Sequence, residues 1–261
     1  DGGGRFTDVG GIPGWLPWER NIELVDLDGD GDDDLVGGNL GLNSRIRASA
    51  DEPARLYRMD FDGNGTTDPV LEVYRHGEPY PVATVEDLAK QIPALHAHYR
   101  TFAEFGARRV ADLLPGLSLG AATVHEATTF ATTYFENRGD GTFAVHVLPP
   151  EAQYAPVYAL LPGDYDGDGR MDLLAAGNFS GVRPQRGRYD ASYGLLLRGD
   201  AQGDGTAFRP VQPGAAGLFL TGDVRALRRL RLADGTMLLL AARNDDRLQV
   251  VRLRPAAPPL A

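Results

Sequence analysis

Apolar residues along this chain come in short runs separated by glycine, asparagine and aspartate. Ile22, Leu24 and Leu27 lead into one acidic stretch, and Leu35-Val36 leave it. Ala144-Val145-His146-Val147 and Leu195-Leu196-Leu197 are further runs bounded by Gly and Asp turns. Runs of this length with turn residues at both ends predict β-strands. One segment departs from the pattern. From Thr84 to Pro115 the apolar positions Leu88, Ile92 and Leu95 fall at helical spacing, and Thr84 with Asp87 offers an N-cap, Asp standing for the usual Glu or Gln of a capping box. The spacing predicts a helical insertion between strand-rich repeats over residues 84–115.

Two units recur along the strand-rich parts. One is a glycine turn ending in an aromatic: Asp1-Gly-Gly-Gly-Arg-Phe6, Gly139-Asp140-Gly141-Thr142-Phe143 and Gly203-Asp204-Gly205-Thr206-Ala207-Phe208. The other is an acidic loop between apolar runs, as at Asp26-Leu27-Asp28-Gly29-Asp30 and Asp164-Tyr165-Asp166-Gly167-Asp168. A degenerate copy aligns without a gap, Leu230 to Asn244 on Asp164 to Asn178, sharing Asp-Gly, Met, an apolar Leu/Ala run and the final Asn. A repeat of roughly 65 residues with four strand patterns predicts an all-β fold, a β-propeller of four-stranded blades. The visible repeats make about four blades, whether or not the ring is larger. With strands lettered A to D in each blade, the acidic loop joins A to B and the glycine turn joins C to D. The chain then begins on a strand D (Phe6 to Val9) and ends on a strand C (Leu248 to Leu253), two ends that can complete one blade together. In the degenerate copy Leu230, Leu232 and Leu238 stand where carboxylates would, so that turn is expected to be metal-free and packed through its leucines.

Each acidic loop places oxygen donors at alternate positions. The first offers Asp26, Asp28, Asp30, the carbonyl of Asp32, and Asp34; the second Asp60, Asp62, Asn64, the carbonyl of Thr66, and Asp68. The third offers Asp164, Asp166, Asp168, the carbonyl of Arg170, and Asp172. Calcium takes about six to eight oxygens and tolerates irregular geometry, which this spacing suits, whereas magnesium demands a rigid octahedron. Glycines at Gly29, Gly63 and Gly167 let the backbone wrap with positive φ. An EF-hand shares the opening spacing but needs a glutamate at its twelfth position, where Gly37, Leu71 and Ala175 stand here, and it needs flanking helices. The expectation is about three structural Ca2+ ions.

The stretch Asp164-Tyr-Asp-Gly-Asp-Gly-Arg-Met-Asp-Leu-Leu resembles the calcium loop of FG-GAP/VCBS repeats, found in integrin α-subunit propellers and in many bacterial exported proteins. The resemblance covers the strand-rich parts and leaves out the helical insertion. It implies a rigid, non-catalytic scaffold for protein or glycan recognition, exported to the periplasm, the outer surface or the medium. The alternative it leaves open is a carbohydrate-active enzyme, a polysaccharide-lyase-like propeller with calcium as a structural ion.

Composition agrees with this picture and narrows it. The 261 residues suffice for one large all-β domain or two small ones, and 33 glycines suit many tight turns. Acidic residues outnumber basic ones, 36 to 26, for a formal charge of −10, which disfavours nucleic acid and anionic membranes as partners. The longest apolar run, Met237 to Ala242, is far too short to span a membrane, and no signal peptide opens the chain, as expected of a mature, trimmed or partial sequence. The absence of cysteine excludes disulfides and thiolate metal sites. No nucleophile elbow, His-rich metal site or separate carboxylate pair points to catalysis. His96 and His98, two apart, do not share a helix face, and both Arg-Gly-Asp triplets fall where the repeat calls for a turn. Candidate ligand contacts are Trp15, Trp18, Arg183, Arg186, Arg188 and Tyr189, on long connections that should share the face opposite the acidic loops.

Overall fold

The structure is a computed structural model, described here over residues 21–106, 108–182, 187–199 and 208–253. The strands are β1 (Ile22–Val25), β2 (Asp34–Gly37), β3 (Ala54–Met59), β4 (Asp68–Arg75), β5 (Glu78–Pro81), β6 (Thr123–Ala127), β7 (Thr133–Asn137) and β8 (Phe143–Val147). They continue as β9 (Val157–Gly163), β10 (Asp172–Gly177), β11 (Leu195–Gly199), β12 (Phe208–Val211), β13 (Val224–Arg231), β14 (Met237–Arg243) and β15 (Gln249–Leu253). Four short helices accompany them: α1 (Val85–Leu88), α2 (Leu95–His98), α3 (Phe102–Gly106) and α4 (Pro213–Ala216). The fold is all-β with small helical additions, arranged as four antiparallel sheets. Two compact units divide the chain, one over described residues 45–129 and the other over 21–44 and 130–253.

The larger unit holds three sheets, in strand order β1-β2-β7-β8, β9 to β12 in sequence, and β13-β14-β15. Alternate side chains of a strand point to opposite faces, so a strand sandwiched between two sheets must be apolar throughout. β10 is such a strand after its first residue: every residue is buried, and Asp172 is followed by Leu173-Leu174-Ala175-Ala176-Gly177. On one face Leu173 and Ala175, with Leu195, Leu197 and Phe208, pack on Val36 and Tyr134 of the first sheet. On the other, Leu174, Ala176 and Ala159 pack on Leu227, Leu239 and Ala241 of the third. The Tyr134 and Phe208 rings meet edge to face at 6.2 Å. Phe143 and Phe208, the aromatics closing the glycine turns, each begin a fourth strand, as the repeat predicts.

The second and third sheets carry a bulge at matching places. The β9–β10 register skips Tyr158, and the β13–β14 register skips Arg225. The Arg225 guanidinium then lies 3.8 Å over the Tyr158 ring, so the two bulged residues fasten the two sheets to each other by a cation–π contact. At the end of β10 the chain passes so close to Pro156 that a Cβ on Gly177 would collide with the Pro156 carbonyl, which accepts from the Asn178 peptide N–H at 2.9 Å. The first sheet differs in one respect: β2 and β7 pair directly although residues 38–132 separate them. The re-entry is fastened by Gln153, which is buried, accepts from Thr132 N–H at 2.9 Å and donates to the Thr132 and Leu148 carbonyls.

The smaller unit has one sheet, in the order β5-β4-β3-β6. Here the strand before the acidic loop, β3, is central, with β6 along its free side; in the larger unit the corresponding strands β1 and β9 are sheet edges. β4 and β5 join through a two-residue turn in which His76 and Gly77 both take positive φ, 54° and 80°. The helical stretch 84–115 lies between β5 and β6, strands of this same sheet. Thr84 does cap α1, its hydroxyl accepting from the Asp87 N–H at 3.4 Å. Val85, Leu88, Ile92, Leu95, Phe105, Val110 and Leu113 from this stretch pack on Tyr57 and Val70 of the sheet and on Phe61 of its acidic loop. The stretch thus supplies most of the unit's core. Buried Glu72 on β4 fixes it further, receiving the Tyr57 hydroxyl at 3.2 Å and the Val110 N–H at 3.4 Å. Burial, with Glu72 beside it, pushes the Tyr57 hydroxyl up to about 12.

The third sheet departs from the sequence expectation at its turn. Leu232 and Thr236 close a tight hairpin, Leu232 N–H to Thr236 carbonyl at 2.8 Å. Leu230 and Leu232 are 44% and 39% exposed and Leu238 is half-buried, so the turn is not packed through these leucines; the sheet's buried leucines are Leu227 and Leu239. Leu230 pairs with Leu238, one position out of step with the Leu227–Ala241 and Arg229–Leu239 pairs whose leucines and alanine meet the second sheet, so both point to the opposite face. Phe6 to Val9 lie outside the described residues, whereas Gln249 to Leu253 form a third strand as expected.

Ile92, fully buried at the centre of the smaller unit's core, gives a direct check of where that unit draws its stability. Ile92→Ala should cost about 2–5 kcal/mol there, because a cavity remains where the side chain packed. Urea unfolding followed by a probe in each unit should show the smaller unit losing its transition first. A change under about 0.5 kcal/mol would mean that the helical stretch is peripheral.

Candidate metal centre

The three acidic loops adopt one hydrogen-bonding scheme. In each, both oxygens of the first aspartate accept peptide N–H groups from the two loop glycines. For Asp26 these are Gly29 at 2.7 Å and Gly31 at 3.1 Å; for Asp60, Gly63 at 2.8 Å and Gly65 at 2.7 Å; for Asp164, Gly167 at 2.6 Å and Gly169 at 3.0 Å. The third-position aspartates accept from the fifth-position N–H, Asp28 from Asp30 at 3.1 Å, Asp62 from Asn64 at 3.2 Å and Asp166 from Asp168 at 3.1 Å. The second glycine of each loop, Gly31, Gly65 or Gly169, also has positive φ, between 85° and 99°. Its place in the repeated Asp-x-Asp-Gly-x-Gly pattern is visible in the sequence.

The ninth residue ties each loop to its sheet. Asp34, Asp68 and Asp172 are 0%, 2% and 1% exposed, and each begins the strand after the loop. One oxygen accepts from the loop's second residue: Leu27 N–H to Asp34 at 2.9 Å, Phe61 N–H to Asp68 at 3.2 Å, Tyr165 N–H to Asp172 at 2.8 Å. In the larger unit a further strand supplies a second donor. Asn137 N–H reaches Asp34 at 2.9 Å, and Gly199 N–H reaches Asp172 at 3.0 Å. The Tyr134 hydroxyl adds a third to Asp34 at 3.0 Å. These partners come from strands far along the chain, and nothing local in the sequence marks them.

The result is three aspartate triads, Asp26-Asp28-Asp34, Asp60-Asp62-Asp68 and Asp164-Asp166-Asp172, each presenting oxygens within 4.8 Å of one another. Any of them can hold a metal ion. Asp30, Asn64 and Asp168 each accept from the peptide N–H two residues on, at 2.9, 2.7 and 2.9 Å. That bond turns the loop so that the peptides of Asp32, Thr66 and Arg170 follow directly. Arg198, from the second Arg-Gly-Asp triplet, pairs with Asp166 at 3.1 Å; Asp140, from the first, caps its own turn by accepting from Thr142.

The electrostatics of the loops fit a cation. Burial, with neighbouring loop carboxylates adding to it, raises the Asp28, Asp68 and Asp172 carboxyls above the ordinary range, against the lowering effect of their peptide donors. Asp60, at the exposed mouth, moves down instead, because the Gly65, Asn64 and Gly63 N–H groups point at it. Converging carboxylates oriented by peptide donors, with no nitrogen or sulfur among them, form a hard oxygen donor set.

The other proposed contacts are less gathered. Trp15, Trp18, Arg183 and Arg186 lie outside the described residues. Arg188 is exposed, and Tyr189 forms an isolated bridge with Phe179 through backbone bonds of 2.7 and 3.0 Å. The sequon asparagine Asn178 is buried and donates to the Ser192 and Gly222 carbonyls, so its amide is committed to the fold. Asp234 of the degenerate turn accepts from Thr236 N–H and joins no carboxylate cluster among the described residues.

Two roles within one loop can be separated by mutation. Asp34→Ala removes the acceptor for three donors and should destabilise the chain by about 3 kcal/mol or more even under chelation, since buried donors left unpaired cost about 1–3 kcal/mol each. Exposed Asp30→Ala should leave the chelated melting midpoint within about 1 °C and change only its response to added metal. Equal chelated midpoints for Asp34→Ala and Asp30→Ala would contradict the structural role of Asp34. Compared with models of protein families, with curated proteins and with solved structures, the chain matches none.

Proposed function

We propose that calcium occupies the three acidic loops and that the chain is a calcium-stabilised, non-catalytic scaffold of the FG-GAP/VCBS propeller type. The observation that carries this reading is the threefold recurrence of one loop geometry, with a buried ninth-position aspartate and a carboxylate triad within 4.8 Å each time. Oxygen-only donors on a flexible glycine loop favour calcium over zinc or copper, and over magnesium with its strict octahedron. The face-to-face sheets of the larger unit support a blade-like arrangement, each sheet covering the next. An ion in each loop would offset the burial, and the lesser repulsion among loop carboxylates, that raise Asp28, Asp68 and Asp172, and would lock the hairpin on which the sheet begins. A protein or glycan partner, met at the cell surface, in the periplasm or in the medium, fits a rigid scaffold of this kind.

Calcium binding to the native state stabilises by about 2.7 kcal/mol per site at a hundredfold excess over Kd. Melting with calcium and then with excess chelator should shift the midpoint by many degrees, and equilibrium dialysis should count one ion for each of the three triads and none for the Asp234 turn. An unmoved midpoint would falsify the calcium reading.

A further inference from the structure

The second acidic loop differs from the other two in three independent ways. Its fifth position is neutral, Asn64 in place of Asp30 or Asp168. Its buried ninth-position aspartate, Asp68, accepts from the Phe61 N–H on one oxygen, and its other oxygen has no donor among the described residues. Its counterparts in the other loops have donors on both oxygens. Third, the loop borders a cleft of about 420 Å³ whose wall includes Asp62, a member of the triad.

The far side of the cleft comes from the helical stretch. His98 ends α2, and Leu114, Leu117 and Ser118 follow in the segment leading to β6. This wall is held in place, because the Tyr99 hydroxyl donates to the Asp112 and Leu113 carbonyls at 2.9 and 3.0 Å. The His98 ring makes no hydrogen bond among the described residues, and Ser118 Oγ accepts from Gly120 N–H at 3.4 Å, which leaves its own proton to donate. The cleft is therefore lined by the Asp62 carboxylate, the His98 ring and the Ser118 hydroxyl, together with half-buried Leu114 and Leu117.

We propose that this cleft binds a neutral sugar through a vicinal pair of hydroxyls that complete the coordination of a calcium ion in the second loop. The proposal rests on the calcium reading above. The loop offers five donors and calcium takes about six to eight, so one to three coordination positions remain for outside oxygens. Three carboxylates, Asp60, Asp62 and Asp68, against one doubly charged ion leave a net negative charge, in a chain already at −10. That balance disfavours an anionic ligand and favours hydroxyl oxygens. The leucines offer an apolar surface to the sugar's C–H face, and His98 and Ser118 reach further hydroxyls.

The test uses the full chain loaded with calcium and a panel of methyl glycosides of neutral hexoses, followed by saturation-transfer NMR and calorimetry. Binding with Kd on the order of 1 mM is expected, abolished by chelator. His98→Ala and Ser118→Ala should each weaken it about tenfold, and Asp234→Asn in the degenerate turn, which joins no carboxylate cluster among the described residues, should leave it unchanged. Dialysis runs alongside, with Asp62→Asn reporting whether the second loop itself holds an ion. If that variant loses no ion, the calcium reading of this loop fails and the proposal goes with it. If the ion is bound and no hexoside binds, the proposal alone is overturned. Binding that survives chelation, ignores both cleft variants, or prefers methyl uronates to neutral hexosides also overturns it.

Discussion

Three carboxylates brought within 4.8 Å of one another repel, and the loops at the hairpin ends must hold them there. At an effective dielectric near 20, unit charges at that separation repel by about 3–4 kcal/mol per pair. The loops meet this with peptide N–H groups, two on the first aspartate, one on the third position and at least one on the ninth. The donors fix where the carboxylates lie, and they leave the repulsion for a cation to cancel. The buried ninth residue passes the constraint into the core. Asp34 and Asp172 start strands whose next residues fill the contact between sheets, so loop geometry and core packing are one problem.

That coupling accounts for the arrangement of the larger unit. A sheet whose first hairpin is fixed by such a loop presents both faces at a set height, and β10, buried throughout, shows the outcome. Where the third sheet replaces the loop by a short hairpin, the covering of one face by the second sheet persists through Leu227, Leu239 and Ala241. The stack of Arg225 on Tyr158 binds those two sheets at the other end of the strands, where no acidic loop acts. Two unlike devices therefore hold successive sheets in place, one ionic and one built on matched bulges.

The smaller unit uses the same loop on a different sheet. With β6 beside β3 and a two-residue turn after β4, no later strand among the described residues donates to Asp68 as β7 donates to Asp34. The helical stretch takes up that space, buries Ile92, Leu95 and Leu113 against the sheet, and leaves a cleft beside Asp62. A structural motif thereby gains an open side, the condition under which a coordinated ion can meet a ligand.

The sequence by itself determined the strands, the loops and the all-β class, because each is written locally. Alternating aspartates with two glycines fix the loop backbone within nine residues, and the Gly-Asp-Gly-x-Phe turn announces the strand that Phe143 begins. Thr84 announced its helix cap for the same reason. Only the tertiary structure decided which strands pair across distance: β2 with β7 over an excursion of many residues, and β6 at the side of β3. It also decided that Leu230 and Leu232 stay in solvent, that Asp34 gains Asn137 and Tyr134, and that Asp68 gains neither. Those outcomes depend on donors and apolar faces arriving from remote parts of the chain. An antiparallel edge accepts any strand of suitable register, so local residue patterns leave the choice of neighbour open.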